Sequence, residues 1–254
     1  FINFINALFN PFKKEFLESE NQLSCDKNEN NNFSLLTHQK IVRDYLNIYT
    51  PYRGLLLFHG LGSGKTCSSI AIAEGMKNDK QIVIMTPASL RVNYLQELKY
   101  CGDPLYKTNQ PWEFFVIPSE EKEKYIFSLS QALSLSPEFI KKNKLNNQEG
   151  VWIVNTKNKS NSYNNLNDQE KDSLDKQINE MMRNKYKFIN YNGLRMSHLK
   201  ELTSDFNRNP FDNKVIIIDE AHNFVSRIVN KLKKKDSLSY RLYEYLMSAE
   251  NCKI

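Results

Sequence analysis

Gly60, Gly62 and Gly64 alternate through the text HGLGSGKT and run directly into Lys65 and Thr66. Without a Cβ to hold the chain away, backbone N–H groups can close around an anion. The residues that follow, CSSIAIAEGM, make a good helix pattern, and a helix starting there turns its positive end toward the same point. This spacing suits a phosphate cradle: Gly60, Leu61, Gly62, Ser63 and Gly64 wrap ATP, Lys65 reaches the β- and γ-phosphates, and Thr66 sets its hydroxyl on Mg²⁺. The full pattern G-x-x-x-x-G-K-[ST] has a glycine where this chain has His59, so the match is to the shorter G-x-G-K-T form. A glycine turn alone would account for the glycines but not for the adjacent Lys-Thr. His59 reads as a packed or solvated loop residue.

A second cluster lies about 150 residues on, where KVIIIDEAHN turns from apolar to acidic. In an open α/β sheet, ligands bind at the carboxyl ends of the strands. Asp219 is therefore the candidate to hold Mg²⁺, directly or through water. Glu220 is the candidate to orient or deprotonate the water that attacks the γ-phosphate. His222 could sense the nucleotide and pass its state to a second domain. Alone, Asp-Glu-Ala-His could be a solvated loop; with the glycine loop it supplies cradle, metal site and water base for one reaction.

These residues need strands to carry them. Short apolar runs occur at 55–58, 82–85, 114–117, 187–189 and 215–218, several continuous rather than alternating, as strands buried on both faces should be. Helical patterns lie between them, which predicts an α/β fold, a mainly parallel sheet with helices on both faces. A helix is expected over the stretch holding Leu36, Ile41, Val42, Tyr45 and Leu46, ending before Pro51. After the acidic box, Val225, Ile228, Val229 and Leu232 recur at core spacing, while Arg227, Lys231, Lys234 and Lys235 collect on the other side.

Residues 1–33 drift into NQLSCDKNENNN and read as an arm and polar linker, leaving 34–254 as the folded domain. Between about 119 and 186 the pattern becomes irregular and Asn/Lys-rich, an expected insertion of flexible loops around one helix from about Asp168 to Arg183. Asn167 and Glu170 have capping-box spacing there. Hydrophobic residues make up 40% and charged residues 25% of 254, which excludes a wholly disordered chain. Net charge is +6, compatible with a nucleic-acid partner without requiring one. The four cysteines are scattered with no C-x-x-C pair, so neither a zinc site nor a disulfide framework is expected and a reducing, intracellular compartment follows. No stretch approaches the ~18 apolar residues of a membrane helix, so a soluble protein with no membrane partner is expected. The first residue is Phe1 rather than methionine, which fits an excerpt of something longer.

GLGSGKT together with IIIDEAHN resembles superfamily 2 helicases, and LTHQKIVRDYL, TPASLRVNYLQEL and KFINYNGL bring the wording nearer to one branch. That branch holds the large-DNA-virus helicases related to the poxvirus early-transcription-factor small subunit and nucleoside triphosphate phosphohydrolase. The resemblance implies a RecA-like P-loop NTPase domain, with Gln39 reading the adenine edge. It further implies that Thr86, Ser89 and Arg91 touch a nucleic-acid backbone and that Asn192 and Gly193 make another strand contact. Two family parts are missing, the Ser-Ala-Thr or Ser-Gly-Thr motif of the next strand and the second RecA-like domain with its arginine fingers.

The expected function is the ATP-binding and hydrolysing domain of a viral, nucleic-acid-dependent helicase or translocase, a DEAH-type motor serving transcription or genome handling. Its cofactors would be ATP and Mg²⁺. Its partners would be DNA or RNA, the second RecA-like domain of the same protein, and RNA polymerase or other transcription proteins. A virus would place it in host cytoplasm, virus factory or virion. Two alternatives stand beside this reading. One is an ATP-dependent transcription-factor interaction subunit that unwinds nothing; the other is a P-loop phosphotransferase, against which the Asp-Glu pair argues for water as acceptor.

Overall fold

The computed structural model describes residues 34–60, 62–157, 163–230 and 237–254, with several positions between 6 and 17. Most of the expected 1–33 arm therefore lies outside the described residues, as do Leu61, Lys231, Leu232, Lys234 and Lys235. No described helix is long and apolar enough to cross a membrane.

Three strands form the central sheet: β1 (Gln81–Thr86), β5 (Tyr186–Asn190) and β6 (Lys214–Ile218), in the order β5-β1-β6 and all parallel. Five of the six β1 residues are buried. Ile82 and Ile84 enter one hydrophobic core, while Val83 and Met85 enter another on the opposite side. A strand with no solvated face has no reason to alternate in polarity, which is why IVIM reads as a continuous apolar run. Helices α1 (Thr37–Tyr45), α2 (Lys65–Met76) and α3 (Arg91–Cys101) are associated with the first core. The second holds α7 (Met196–Thr203), α8 (Ala221–Val229) and α9 (Leu238–Ser248).

The expected strand at 55–58 is not one. Residues 51–60 are irregular, with Leu56 and Phe58 exposed. Among the described residues their ladder runs through the segment at Ile254, whose N–H donates to Arg53 O at 2.8 Å, and Leu55 N–H donates to Ile254 O at 3.0 Å, the pattern of a parallel pair. On its other side the same segment pairs with β6, in a parallel bridge between Lys253 and Val215. The extended chain before the glycine loop thus runs in the direction of the sheet. Arg53 secures it by donating to the carbonyls of Leu246, Met247 and Ala249 at 2.8–3.3 Å, which caps the end of α9 with a cation.

The 119–186 stretch holds more order than its composition suggested. It contains α4 (Lys122–Leu133), α5 (Pro137–Lys142), the strands β3 (Lys144–Leu145) and β4 (Gln148–Val154), and α6 (Asp168–Lys185). With β2 (Trp112–Val116), β4 and β3 make a second, antiparallel sheet. The capping box predicted at Asn167 and Glu170 is present and starts α6. Gln177 of that helix is fully buried, its amide accepting from Trp152 N–H and donating to Trp152 O, each at 2.8 Å. A glutamine side chain here satisfies the backbone of β4 as a neighbouring strand would.

A disulfide joins Cys67 to Cys101, contrary to the expectation from their spacing. Thirty-four residues separate them, yet α2 and α3 bring their Cα atoms to 5.6 Å. Sequence separation carries no information about that approach. The argument for a reducing compartment from unpaired cysteines therefore falls. Cys252 is free and buried, and Cys25 lies outside the described residues.

Candidate nucleotide-binding site

The glycine loop meets α2 at Gly64, whose backbone is left-handed at φ +73°. A Cβ there would lie 2.5 Å from the Gln39 amide nitrogen, so conformation and space both demand glycine. Gly62 is left-handed as well, at φ +76°. Three contacts hold the loop from outside and within. The His38 Nε2 lies 2.9 Å from the Ser63 carbonyl, which can only accept, so this nitrogen carries the proton. The Gln39 Nε2 donates to the Gly64 carbonyl at 3.2 Å. Lys65 Nζ donates to the carbonyls of His59 and Gly60, both at 3.1 Å. Thr66 is half-buried in the first turn of α2. His59 is half-buried with its Nδ1 enclosed and unpartnered, and its ring meets His38 edge-on at 5.5 Å.

Gln39 is 3% exposed, and its amide oxygen accepts from the Leu36 N–H at 2.9 Å. Both ends of the amide are bonded to protein, so Gln39 buttresses the loop.

The acidic box leaves the carboxyl end of β6. Asp219 N–H still pairs with Met85 O at 2.9 Å, and the chain then turns through Glu220, left-handed at φ +50°, into α8. A left-handed glutamate costs about 1–2 kcal/mol, so other contacts must hold it there. Tyr191 provides them: its single hydroxyl proton is shared between the carbonyls of Asp219 at 3.0 Å and Glu220 at 3.1 Å. Burial, and then the negative charges of Asp219 and Glu220, push the Tyr191 phenol up to about 12, so it remains a donor. Its ring packs on Phe224 of α8 at 5.4 Å.

Burial, followed by the charge of Glu220, raises the Asp219 carboxyl above the usual carboxylate range. The Thr86 hydroxyl, 3.4 Å away, acts in the opposite direction. Among the described residues no cationic side chain pairs with Asp219. A partly buried carboxylate lacking a counter-charge among the described residues fits a hard divalent cation. Glu220 is exposed and meets His222 Nδ1 at 3.3 Å. His222 is itself largely exposed.

The candidate strand contacts divide. Ser89, Arg91, Asn192 and Gly193 are exposed just beyond the carboxyl ends of β1 and β5, and the Arg91 guanidinium stacks over Phe188 at 5.1 Å. Thr86 is completely buried and bonded to Asp219, so it cannot touch a nucleic-acid backbone. Sequence reasoning missed Tyr191 and His38. Each adjoins a residue that was singled out, Asn192 and Gln39, but only the strand order β5-β1-β6 reveals that Tyr191 reaches the acidic turn.

Glycine loop and acidic box thus lie along the carboxyl edge of one parallel arrangement. A family profile described as type III restriction enzyme, res subunit, matches residues 32–243. Two proteins of Acanthamoeba polyphaga mimivirus, provisionally named ATP-dependent RNA helicases R563 and L377, are similar. R563 is 36% identical over 46% of this chain and 22% of its own length; L377 is 30% identical over 76% and 15%. A Frog virus 3 protein, provisionally named helicase 009L, is 46% identical over 26% of the chain and 7% of its own length. The chain therefore spans less than a quarter of the length of these relatives. No solved structure matches it. With its RecA-like P-loop architecture, the chain belongs to the helicase-type family of the type III restriction enzyme res subunit.

Proposed function

We propose that residues 34–254 form the ATP-binding domain of a nucleic-acid-dependent helicase or translocase that hydrolyses ATP to ADP and phosphate. The observation that carries this reading is the shared edge: a left-handed glycine loop at a helix start, and a carboxylate at Asp219 without a counter-charge. In this reading the N–H groups of the loop and Lys65 bind the β- and γ-phosphates. Thr66 and Asp219 would hold Mg²⁺, which offsets phosphate charge. Glu220 orients the attacking water and accepts its proton. Ser89, Arg91, Asn192 and Gly193 face a DNA or RNA backbone, for which their hydroxyl, guanidinium, amide and backbone groups are suitable donors. A second RecA-like domain closing over the edge would supply the arginine that stabilises transition-state charge. Service in viral transcription or genome handling agrees with the relatives' viral origins.

The test is ATP turnover by the intact protein with and without single- and double-stranded nucleic acid. Strong stimulation is expected. Turnover indifferent to nucleic acid would favour an ATP-dependent interaction subunit instead.

A further inference from the structure

We infer that Tyr191 is a positioning residue for ATP hydrolysis, whose hydroxyl holds the Asp219–Glu220 turn so that Glu220 faces the water-bearing side of the site. This deepens the proposed hydrolysis and rests on it. Three observations on separate elements converge. Glu220 occupies a left-handed backbone that a side-chain-bearing residue rarely adopts unaided, and it lies where chain direction must change from β6 to α8. The two carbonyls flanking that change of direction are those bonded to one phenol, at 3.0 and 3.1 Å, from a residue that follows β5 across the sheet. The ring is 2% exposed and fixed against Phe224, so the hydroxyl has little freedom to do anything else.

Glu220 itself is exposed, and the side-chain contact recorded for it is with the exposed His222. Its aim is therefore set by its backbone. Without the hydroxyl, the carbonyls of Asp219 and Glu220 lose their common donor and the turn can relax toward ordinary dihedral angles. Such a relaxation would move the Glu220 carboxylate while leaving the phosphate loop untouched, because His38, Gln39 and Lys65 hold that loop independently. A displacement of about 1 Å at a reacting group can cost 10²-fold in rate.

Tyr191→Phe in the intact protein tests this, since it keeps the ring on Phe224 and removes one oxygen. We expect kcat for ATP hydrolysis to fall about 10- to 100-fold. The affinity for a fluorescent ATP analogue and the melting temperature should stay close to those of the unaltered protein. Glu220→Gln provides the second arm. If Tyr191 acts through Glu220, the double variant should be no slower than Glu220→Gln alone. Unchanged kcat in Tyr191→Phe, losses that multiply in the double variant, or a fall in ATP affinity and melting that matches the fall in kcat would each overturn the inference. Failure of the underlying reading would be visible elsewhere, as an unaltered protein that does not hydrolyse ATP or a Glu220→Gln variant with full turnover.

Discussion

The ammonium of Lys65 donates to the carbonyl of His59, six residues before it, and to that of Gly60 beside it. The residue proposed to bind phosphate is thus held by its own loop. Phosphate oxygens carry full negative charge and would outcompete neutral carbonyls for this donor. A hydrogen bond to a charged group is worth about 1.5–3 kcal/mol. Lys65→Ala should accordingly weaken Mg-ATP binding about 10- to 100-fold in an equilibrium titration, with little loss of folding. Equal affinity in the variant would remove the loop from the site.

Gln39 permits a sharper discrimination. Were it an adenine reader, Gln39→Ala would erode the preference for ATP over GTP. Its amide instead joins Leu36 N–H to the Gly64 carbonyl. The expected result is a parallel loss of affinity for both nucleotides, by about fivefold to tenfold, as the neutral hydrogen bond that reaches the loop is removed. Selective loss of ATP would restore the adenine role.

How far these features were legible depends on what surrounds each residue. The runs at 82–85 and 215–218 were readable because both faces of β1 are enclosed, and in β6 Val215 and Ile216 are buried while Ile217 and Ile218 are half-buried. The run at 55–58 has the same apolar text, but Leu56 and Phe58 face solvent, and among the described residues the backbone pairing of the chain leading into it is with Ile254. After the acidic box the pattern contained two adjacent apolar stripes. Phe224 and Ile228 are the buried pair, whereas Val225 and Val229 are exposed. Helical period cannot choose between stripes one residue apart; packing against Tyr191 and α9 does. The order at 119–186 was hidden by its polar surface, since the buried residues that build it, such as Ile126, Ile140, Trp152 and Ile178, are spaced out among polar ones. The glycine loop and the acidic box were legible because their chemistry is local.

The Cys67–Cys101 bond predicts a redox-dependent stability. Closing a loop of 34 residues in the unfolded chain is worth about 4 kcal/mol in the chain-entropy account, and measured effects more often fall at about 2–4 kcal/mol. Oxidised protein should melt several degrees higher than protein held in excess dithiol. Replacing both cysteines with serine should abolish the difference. Free thiols at Cys67 and Cys101 in protein purified under air, counted by alkylation and mass, would show that the bond does not form.

Asp219 gives the last prediction, in which stability and function oppose one another. Burial and the neighbouring Glu220 raise its carboxyl pKa in the fold above the ordinary 3.8. A group that holds its proton more tightly when folded contributes stability that is complete below its unfolded pKa. That contribution is lost as pH rises through the folded pKa. At neutral pH, without a metal ion, the ionised carboxylate therefore weighs against folding. Asp219→Asn removes that charge, and active-site replacements of this kind commonly gain about 0.5–2 kcal/mol. Partial solvent exposure screens the charge, which favours the lower end and a rise in melting temperature of about 2 °C. The gain should shrink as pH falls through the raised pKa of the native carboxyl, which then takes up its proton, and the two proteins converge. The variant should at the same time lose the extra stabilisation that Mg-ATP gives the unaltered protein. Melting curves across pH 4–8, with and without Mg-ATP, test both halves. A variant that is less stable at neutral pH, or a difference that ignores pH, would show that Asp219 is not the strained carboxylate of this site.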